Sequence, residues 1–457
     1  MSKILLGAVA IVGGSGMTCF EVQGKQSRQS KKQGNVLVVV ADDLGKEVLS
    51  LDDSPAAHQA VTPNLDGLMQ RGLIFDNMWG SPLSSPARAA MLTGRYGYHT
   101  GIVSLEITLP LEEQTIFEAL PEGYSNALFG KWHLSTNTDF APSYGIDHFV
   151  GLASGGGVRD YRSWRLTEGG ESRLTTDYIT TKITDLAIDW IDNQRDPWFC
   201  WVAYTAPHTP YHLPPSGTHT RTQLTGTAED IEQNTLQYYL AMIENLDYEL
   251  GRLLASVDDN TTIIFVGDNG TENGVLQSPY PFRHGKGSVY QPGVSIPLIV
   301  SGRGVTSVGE RCNAAVDAVD IFPTVMELMG QPMSRYEDGY SFVATLSGGE
   351  GQRTYSFSEI VHQRMGYTYA LNDGRYKVIS VDNKITMLFD LERDPLEEHN
   401  LLQGDLSDSA KEAFDRLSKQ LESMEIPPIE SSTTNTNLRE RGVNRNSNNN
   451  NNIRSRR

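Results

Sequence analysis

A run of six residues, Asn35–Val40 (NVLVVV), constrains the fold most, because five of its side chains are apolar and four are β-branched valines. Such a run predicts a strand with both faces buried, as in a parallel sheet covered by helices. Similar runs follow at SNALFG, WFCWVAYT, TTIIFVG and IPLIVSG. Segments with helical patterns separate them, among them a long helix predicted from about residue 228 to about residue 257. This alternation predicts an α/β fold with a large, mainly parallel or mixed central sheet flanked by helices.

Two of the predicted helices begin with recognisable capping residues. In TPNLDGLMQRG, Thr62 is predicted as the N-cap and Pro63 as the first helical residue. In SSPARAAMLTGR, Ser85 and Pro86 are predicted to take the same two positions. Ser84 would then lie one residue before the helix.

Both ends of the 457-residue chain differ in composition from its body. MSKILLGAVAIVGGSGMTC places Lys3 before a short apolar run and small residues, which is typical of an export signal and too short to span a membrane. A buried N-terminal strand is the alternative. Export predicts a periplasmic or secreted protein, and Cys19 is a candidate for a lipid anchor. Because GMTC is a poor match to a lipidation site, cleavage without lipidation is the alternative.

The pattern of the chain changes after about residue 345, where four short runs (RTYSFSEI, YTYALNDG, RYKVISVDN and TMLFDLERDP) are separated by turn signals. With a helix predicted from about residue 409 to about residue 424, they indicate a small antiparallel α+β subdomain. The final residues contain almost no apolar side chains and predict an unfolded tail. The predicted organisation is a signal peptide (1–19), a polar linker (20–33), a main α/β domain (34–344), a C-terminal subdomain (345–428) and a low-complexity tail (429–457).

Charge and cysteine content exclude some classes of function. The net charge of −18 argues against nucleic acid as a partner, because a phosphate backbone needs a basic face. A single anion can still bind in a local pocket of cationic side chains or beside a metal. Only three cysteines occur, so neither a disulfide framework nor a Cys-rich zinc site can be built. We expect a monomer or a small homo-oligomer without an integral membrane span.

Acidic and amide side chains follow two of the predicted strands. Asp42 and Asp43 come directly after the first strand, and Asp268 and Asn269 come directly after TTIIFVG. Ligands of open α/β sheets bind at the carboxyl ends of the strands, so these side chains are expected at one edge. An all-oxygen set favours Ca²⁺ or Mg²⁺ over Zn²⁺. Taken alone, each pair could also be a helix cap or an ordinary turn.

Cationic side chains are predicted at the same edge. They are Lys131 and His133 in LFGKWHL, His208 in TAPHTP, and Arg283, His284 and Lys286 in PFRHGKGS. Any one of them could be a surface cation or a hydrogen-bonded core histidine. Together they could hold a tetrahedral oxyanion and transfer protons.

Ser84 is predicted at the positive end of a helix dipole, where unbonded N–H groups stabilise negative charge. Arg88 is about one helical turn further on, so its guanidinium can lean back toward Ser84. A nucleophile at this position would have its developing charge stabilised from the start.

SSPARAAMLTGR resembles the sulfatase signature, in which Cys or Ser is followed, after any residue, by Pro or Ala, then Ser or Ala, then Arg and a spacer ending in Thr-Gly-Arg. Other segments resemble blocks of that family in the same order: VVADDLG, TPNLDGLMQRGLIF, GKWHL, APHTPY, VGDNG, GKGSVYQPGVSIPLIV, VDIFPTVMELMG and MLFDLERDPLEEHNL. The resemblance covers about residue 35 to about residue 425. On these motifs the chain is identified as a member of the type I sulfatases of the alkaline phosphatase superfamily, and the main α/β domain would be catalytic.

The resemblance implies that Ser84 is oxidised to Cα-formylglycine (3-oxoalanine) by a radical SAM maturase, which would be a transient partner. A plain serine sulfate ester would be a stable dead end, whereas a hydrated aldehyde has one hydroxyl to attack sulfur and another to expel sulfate. By motif match, Asp42, Asp43, Asp268 and Asn269, together with Ser84 itself, would bind one Ca²⁺.

The resemblance also implies roles for the cationic residues. Arg88 would hold the formylglycine, and Lys131 and Lys286 would bind the sulfate oxygens. His133 would assist the hydroxyl whose loss of a proton releases sulfate. His208 would contact sulfate or protonate the leaving oxygen.

The chain departs from the family pattern after Lys286. Gln291, Pro292 and Ser295 stand where many relatives have Glu, Gly and Arg, so a neighbouring structural ion pair is not expected. This departure also removes one cue that Lys286, rather than Arg283, is the sulfate ligand. The GKGS context still favours Lys286.

The predicted function is removal of sulfate from a sulfated polysaccharide or oligosaccharide. Candidate positions for recognising the sugar are Tyr161, Arg162 and Trp164 in GLASGGGVRDYRSWR, and residues near His99, Arg283, His284 and His362. For the first three, ordinary loop packing is the preferred alternative.

Two rival functions stay open. One is a phosphatase or phosphodiesterase of the same superfamily, which would use an unmodified Ser84 and two Zn²⁺ held by additional His and Asp ligands. The other is a catalytically silent glycan-binding protein in which Ser84 is not modified.

Overall fold

The computed structural model describes residues 34–429, apart from 51–55, 106, 196 and 363–365. The predicted signal peptide, the linker, Cys19 and the low-complexity tail beyond residue 429 lie outside the described residues.

The strands of the described chain are β1 (Asn35–Asp42), β2 (Gly72–Trp79), β3 (Ser125–Lys131), β4 (His148–Leu152), β5 (Trp164–Glu168), β6 (Glu171–Thr175), β7 (Trp198–Pro207), β8 (Thr261–Gly267), β9 (Leu298–Gly302), β10 (Glu310–Asp317), β11 (Arg335–Tyr336), β12 (Gly339–Tyr340), β13 (Ser356–His362), β14 (Gly366–Asn372), β15 (Tyr376–Val381) and β16 (Lys384–Asp390). The α-helices are α1 (Pro63–Gln70), α2 (Ser84–Thr93), α3 (Gly97–Thr100), α4 (Ile116–Ala119), α5 (Ile179–Asp192), α6 (Ala228–Gln233), α7 (Thr235–Leu254), α8 (Gln291–Val294), α9 (Ile321–Leu328) and α10 (Asp408–Ser423). Short 3₁₀ segments occupy Lys46–Val48, Ala141–Tyr144, Ala318–Asp320, Val343–Ser347 and Leu401–Gln403.

Ten strands of the described residues form one sheet in the order β10-β2-β9-β8-β1-β7-β3-β4-β5-β6. Its centre is parallel, because β1 pairs in parallel with β7 and β8, and β3 pairs in parallel with β7 and β4. β9 runs antiparallel to both of its neighbours, and so does β5. The predicted fold class, a large mixed sheet flanked by helices, is confirmed.

β1 lies at the centre of the sheet and contributes side chains to two hydrophobic cores. Val36, Val38 and Val40 pack with residues of α2 and α9 on one face, and Leu37 and Val39 pack with residues of α1, α5 and α7 on the other. Alternate side chains of a strand point to opposite faces, which is why a continuous apolar run suits this position. Each such side chain stabilises the fold by about 1.5–3 kcal/mol when buried.

The C-terminal strands β13 to β16 form a four-stranded antiparallel sheet, as predicted. Asp382 and Asn383, both with positive φ, form the turn between β15 and β16. Ala413 and Leu417 of α10 and Val378 of β15 belong to the same hydrophobic core as the α2 face of the central sheet. The small sheet is therefore packed against the large one.

The long helix predicted for residues 228–257 is wrong in detail, because it is interrupted at Asn234. The backbone of Asn234 (φ −124°, ψ 29°) is not helical, so α6 ends at Gln233 and α7 begins at Thr235. The side chain of Asn234 donates a hydrogen bond to Asp230 Oδ1 at 2.7 Å, a local contact that competes with regular helix. None of the helices that the structure describes is both long and apolar enough to cross a membrane.

Candidate active site

Four neighbouring strands, β8, β1, β7 and β3, end at one edge of the sheet. Six of the predicted site residues lie at these ends: Asp42 and Asp43 at the end of β1, Asp268 and Asn269 after β8, Lys131 at the end of β3, and His208 after β7. Parallel pairing is what brings these separate segments together.

Three carboxylates form the centre of this site. Asp42, Asp43 and Asp268 are buried, and each offers a ligand oxygen within 4.8 Å of the others. The Asn269 side chain joins them, since its Nδ2 donates to Asp43 Oδ1 at 2.7 Å. Asp268 Oδ1 in turn accepts hydrogen bonds from the backbone N–H groups of Asp43 and Asn269. The cluster has the donor set of a hard-cation site.

Asp42 and Asp43 each form an ion pair with a lysine. Lys131 Nζ lies 2.5 Å from Asp42 Oδ2, and Lys286 Nζ lies 2.6 Å from Asp43 Oδ1. Burial alone would raise the pKa of Asp42, but the charges of Lys131, His208 and Arg88 outweigh it and hold that pKa below its usual range. Asp42 is therefore ionised at neutral pH. For Lys286, burial is likewise outweighed by the acidic neighbours, which raise its pKa.

Ser84 lies beside these carboxylates as the first residue of α2. Its hydroxyl is 2.8 Å from Asp42 Oδ1 and 3.1 Å from Asn269 Oδ1. The predicted helix start was wrong by two residues, because Leu83 is the extended N-cap and Ser84 already belongs to the helix. Ser85 does not cap the helix; its Oγ donates to the backbone oxygen of His133 at 3.0 Å. Pro86 is tolerated as the third helical residue because its missing N–H would have no partner within the helix there.

Arg88 is almost fully buried and ties α2 to the sheet edge. Its guanidinium donates to the backbone oxygen of Lys131 and to Asp268 Oδ2, both at 3.0 Å. The expected approach of Arg88 to Ser84 is therefore indirect in this structure, through Asp42, whose Oδ2 lies 3.9 Å from Arg88 Nη2 and whose Oδ1 accepts from Ser84.

A cavity of about 510 Å³ opens over Ser84. Its other lining residues are Leu105, His133, Gly156, Gly157, Val158, Arg159, His208, Thr209, Pro210 and Lys286. The cavity thus includes Ser84, two of the three histidines predicted at this edge, His133 and His208, and one predicted lysine, Lys286.

The two histidines of the cavity differ in their surroundings. Burial, with the nearby charges of Lys131 and Arg88, lowers the pKa of His133 to about 2, so its ring is neutral at neutral pH. His208 Nδ1 is 2.8 Å from the backbone oxygen of Thr209, an acceptor, so Nδ1 carries a proton. Its Nε2 lies 3.8 Å from Asp43 Oδ2.

A glycine segment forms one wall of the cavity. A Cβ atom on Gly156 would lie 2.8 Å from His133 Cε1, and one on Gly157 would lie 3.1 Å from the His208 ring. Only residues without a side chain allow the backbone to pass this close to both rings. The segment continues to Arg159, an exposed side chain for which the described residues provide no hydrogen-bond or ion-pair partner.

Three predicted substrate-binding residues do not line this cavity: Lys131, Arg283 and His284. Lys131 is buried against Asp42. His284 stacks on Tyr290, with ring centroids 3.7 Å apart, and its burial lowers its pKa to about 4. Arg283 lies over the ring of Phe282 at 5.4 Å and has a left-handed backbone (φ 72°). Their proximity in sequence to Lys286 is not matched by a shared surface.

The loop GLASGGGVRDYRSWR does reach the site, but the residues singled out in it have other roles. Tyr161 is buried and donates hydrogen bonds to the backbone oxygens of Thr205 and His208, which supports the His208 segment. Trp164 is also buried, and Arg162 lies over the ring of Tyr178. Sequence reasoning missed Arg159; the preceding glycines were the signal that could have found it, since they mark a close backbone approach.

Comparison with known families gives two matches. A family model described as Sulfatase matches residues 34–331, which is more than half of the chain. A second, described as N-sulphoglucosamine sulphohydrolase, C-terminal, matches residues 283–426 and so includes the small sheet.

Individual relatives agree with these matches. Human N-acetylgalactosamine-6-sulfatase is 28% identical over a match 364 positions long, which covers 69% of this chain and 66% of the human one, so the chain spans about two thirds of that relative. The crystal structure of Ps i-CgsB, also solved with k-i-k-neocarrahexaose, has a TM-score of 0.74 and 24% identity, and the match covers 91% of this chain and 98% of that one. BT4656, solved with its substrate D-glucosamine-2-N,6-O-disulfate, has a TM-score of 0.70 and 20% identity, covering 86% and 98%. These structural matches establish the shared fold.

Proposed function

The chain belongs to the sulfatase family of sulfuric ester hydrolases, and from that premise we propose that it removes sulfate from a sulfated carbohydrate, with a formylglycine derived from Ser84 as nucleophile and one bound Ca²⁺. The observation that carries this proposal is the position of Ser84 Oγ, 2.8 Å from Asp42 and 3.1 Å from Asn269. A reacting role for Ser84 is supported by these contacts with the acidic cluster and by the cavity that Ser84 lines together with Arg159 and Lys286.

The acidic cluster fits Ca²⁺ by its chemistry. Asp42, Asp43 and Asp268 supply carboxylate oxygens that are buried and mutually close, and Asn269 Oδ1 already accepts from Ser84. Ca²⁺ binds such oxygen ligands, and when bound it supplies positive charge beside the sulfate and the attacking hydroxyl.

The balance of charge in the site suits an anionic substrate. Three carboxylates are faced by three cations, Arg88, Lys131 and Lys286. A divalent cation added to this set leaves an excess of positive charge, which an acidic protein can maintain locally in a cavity. Lys131 and Lys286 would hold the sulfate oxygens through charge-assisted hydrogen bonds.

Formylglycine at position 84 would supply, as its hydrate, one hydroxyl to attack sulfur and a second whose deprotonation would expel sulfate and restore the aldehyde. His133 lines the same cavity as Ser84, and its neutral ring would assist a residue-84 hydroxyl by hydrogen bonding to it. His208 is suited to protonate the leaving oxygen, since its Nε2 faces the Asp43 carboxylate and its Nδ1 is fixed by Thr209.

A carbohydrate is the proposed substrate class because of the named relatives and the open cavity. Human N-acetylgalactosamine-6-sulfatase carries a sugar sulfate in its name, and BT4656 was solved with a sulfated glucosamine as its substrate. In this chain, Arg159 at the cavity wall would contact a second anionic group of the sugar, such as another sulfate or a carboxylate.

Several parts of the proposal come from the sequence alone. They are export to the periplasm or the medium, modification of Ser84 by a radical SAM maturase, and a monomeric or small homo-oligomeric state.

A two-zinc phosphatase would need a second group of His and Asp ligands; in the part of the chain that the structure describes, Asp42, Asp43 and Asp268 form the one group with suitable spacing.

The decisive experiment is co-expression of the chain with a Ser-type maturase, followed by mass spectrometry and assays. We expect the peptide containing Ser84 to be lighter by two hydrogen atoms, and an aryl sulfate to be hydrolysed in preference to an aryl phosphate. An active enzyme with only intact serine, or preference for the phosphate, would contradict the proposal. Folded, calcium-loaded protein in which Ser84 stays intact despite the maturase, and which shows no turnover, would favour the silent glycan-binding alternative.

A further inference from the structure

Lys377 and Glu397 form a buried ion pair beneath the segment that carries Lys286. Lys377 lies in β15, Glu397 lies in the loop after β16, and Lys377 Nζ is 2.6 Å from Glu397 Oε1. Both side chains are 0% exposed. Nothing in the proposed mechanism uses either residue.

Such a pair needs a physical reason, because removing two charges from water costs more than their attraction reliably returns. Glu397 adds a second cost, since its backbone is left-handed (φ 57°), a region that residues with a side chain rarely adopt. The surrounding structure therefore holds Glu397 in one place at the expense of local stability.

The pair contacts the start of α8, the short helix that follows Lys286. Glu397 Oε2 accepts a hydrogen bond at 2.5 Å from the backbone N–H of Gln291, the first residue of α8. Lys377 Nζ lies 4.9 Å from the centre of the Trp79 ring and 5.9 Å from that of Tyr290. The pair thus links the C-terminal sheet to the start of α8 and to the end of β2.

That segment is bonded to the two chain stretches that carry the reacting groups. Gly287 N donates to Pro82 O at 2.9 Å, two residues before Ser84, and Gly270 N, next to Asn269, donates to Gly293 O at 3.0 Å. The Lys286 N–H is held by Thr271 O at 2.8 Å. A shift of α8 would therefore move Lys286 relative to the acidic cluster.

We propose that Lys377 and Glu397 are positioning residues that act through α8 to hold the Lys286 ammonium where sulfate binds. The pair anchors the start of α8 from the C-terminal sheet and the loop that follows β16. This inference rests on the proposed function, because it takes Lys286 as a sulfate ligand.

The first test removes both charges and the acceptor in a Lys377→Met, Glu397→Met chain, since flexible apolar side chains can fill the same space. Sulfate affinity is measured in Ca²⁺ buffer from the thermal shift that inorganic sulfate produces, a readout independent of turnover. We expect it to weaken roughly ten-fold, as for the loss of one charge-assisted contact. In the modified enzyme, KM for an aryl sulfate should rise more than kcat falls.

The matched control is Arg375→Met with Asp390→Asn. This ion pair borders the same strand, with bonds of 3.0 and 2.8 Å, but its recorded partners all lie in the C-terminal sheet and the turn after it. Sulfate affinity should stay within about two-fold of the wild type. An equal loss in the control would overturn the proposal, because it would show a general effect of loosening the sheet.

A second variant, Gln291→Pro, removes the backbone N–H that donates a hydrogen bond to Glu397. It leaves the charges of Lys377 and Glu397 intact. Proline suits the first helical position, and Tyr290 before it is extended (φ −72°, ψ 161°), as proline requires. We expect weaker sulfate binding with the fold retained, and no further loss when Lys286→Met is already present. Unchanged binding, additive losses or an unfolded Gln291→Pro chain would each refute the positioning role. A wild-type chain that neither binds sulfate nor hydrolyses an aryl sulfate would instead be a failure of the proposed function.

Discussion

Ser84 Oγ lies 2.8 Å from Asp42 Oδ1, and the other oxygen of the same carboxylate lies 2.5 Å from Lys131 Nζ. One buried side chain therefore joins the proposed nucleophile to a proposed sulfate ligand. The contact spans 42 positions and exists because β1 ends where α2 begins. A substitution of Ser84, Asp42 or Lys131 should therefore alter the hydrogen bonds of the other two side chains.

Replacing Ser84 by Ala should lower the rate of aryl sulfate hydrolysis by roughly four orders of magnitude, because the group that attacks sulfur is lost. The melting temperature should change little, since one hydrogen bond contributes about 1 kcal/mol. Ser85→Ala is the control, because it makes the same chemical change one residue further on and removes a hydrogen bond to His133 O. An Ser84→Ala enzyme as active as Ser85→Ala would contradict the role of Ser84.

Asp268→Asn should weaken Ca²⁺ binding at least about ten-fold, measured by titration calorimetry, because the site loses a charged ligand. It should also destabilise the fold by roughly 1–3 kcal/mol, since the buried Arg88 guanidinium loses the charge that faces it at 3.0 Å. Asp76→Asn, which breaks an ion pair with Arg311 away from the acidic cluster, is the control and should leave Ca²⁺ binding unchanged. Normal Ca²⁺ affinity in Asp268→Asn would rule out this residue as a ligand.

The depressed pKa of His133 predicts a dependence of stability on pH. Its folded pKa of about 2 lies below the unfolded value of 6.5, so the unfolded chain binds more protons between these values. The free energy of unfolding should therefore fall as the pH drops below 6.5, by about 2 kcal/mol at pH 5 from this residue. A His133→Gln chain should show a correspondingly flatter profile in urea titrations at pH 7 and pH 5. If the free energy of unfolding changed equally in the two chains between pH 7 and pH 5, His133 would be protonated in the folded state.

Arg159→Met should change substrate preference rather than chemistry. Hydrolysis of a small aryl sulfate should be retained, whereas kcat/KM for sugars with a second sulfate or a carboxylate should fall roughly ten-fold, and the wild-type preference should weaken with added salt. Arg162→Met is matched in charge but removes a side chain that lies over Tyr178. Equal behaviour of the two variants, or a wild-type enzyme without preference for doubly charged sugars, would argue against Arg159 as a recognition residue.

The central part of the site could be predicted because it depends on local patterns. Buried β-branched runs identify the central strands, and the carboxyl ends of parallel strands must share an edge. The positions of Asp42, Asp268 and Lys131 follow from these two rules. The start of α2 was not predicted correctly, because Ser85 has the sequence of a cap, whereas the extended backbone makes Leu83 the N-cap and neither serine caps the helix.

Other parts depend on contacts between distant segments, which no local pattern reveals. Arg283 and His284 were grouped with Lys286 by their place in the chain, but the stack of His284 on Tyr290 keeps them outside the cavity lining. The pairing of Lys377 with Glu397 requires the C-terminal sheet to be packed already. The break at Asn234 depends on a side-chain hydrogen bond rather than on hydrophobic pattern.

The burial of α2 has a consequence for the order of events in the cell. All ten of its residues are buried, and Ser84 retains 1% of its accessible surface. To oxidise Ser84, a second enzyme would have to draw the segment around it into its own active centre, and the burial of α2 in the folded chain opposes this. If Ser84 is oxidised as proposed, the maturase competes with folding for each newly made chain. A molecule that folds before it is oxidised would stay inactive. The fraction of active enzyme would then be set by the relative rates of oxidation and folding, not by an equilibrium.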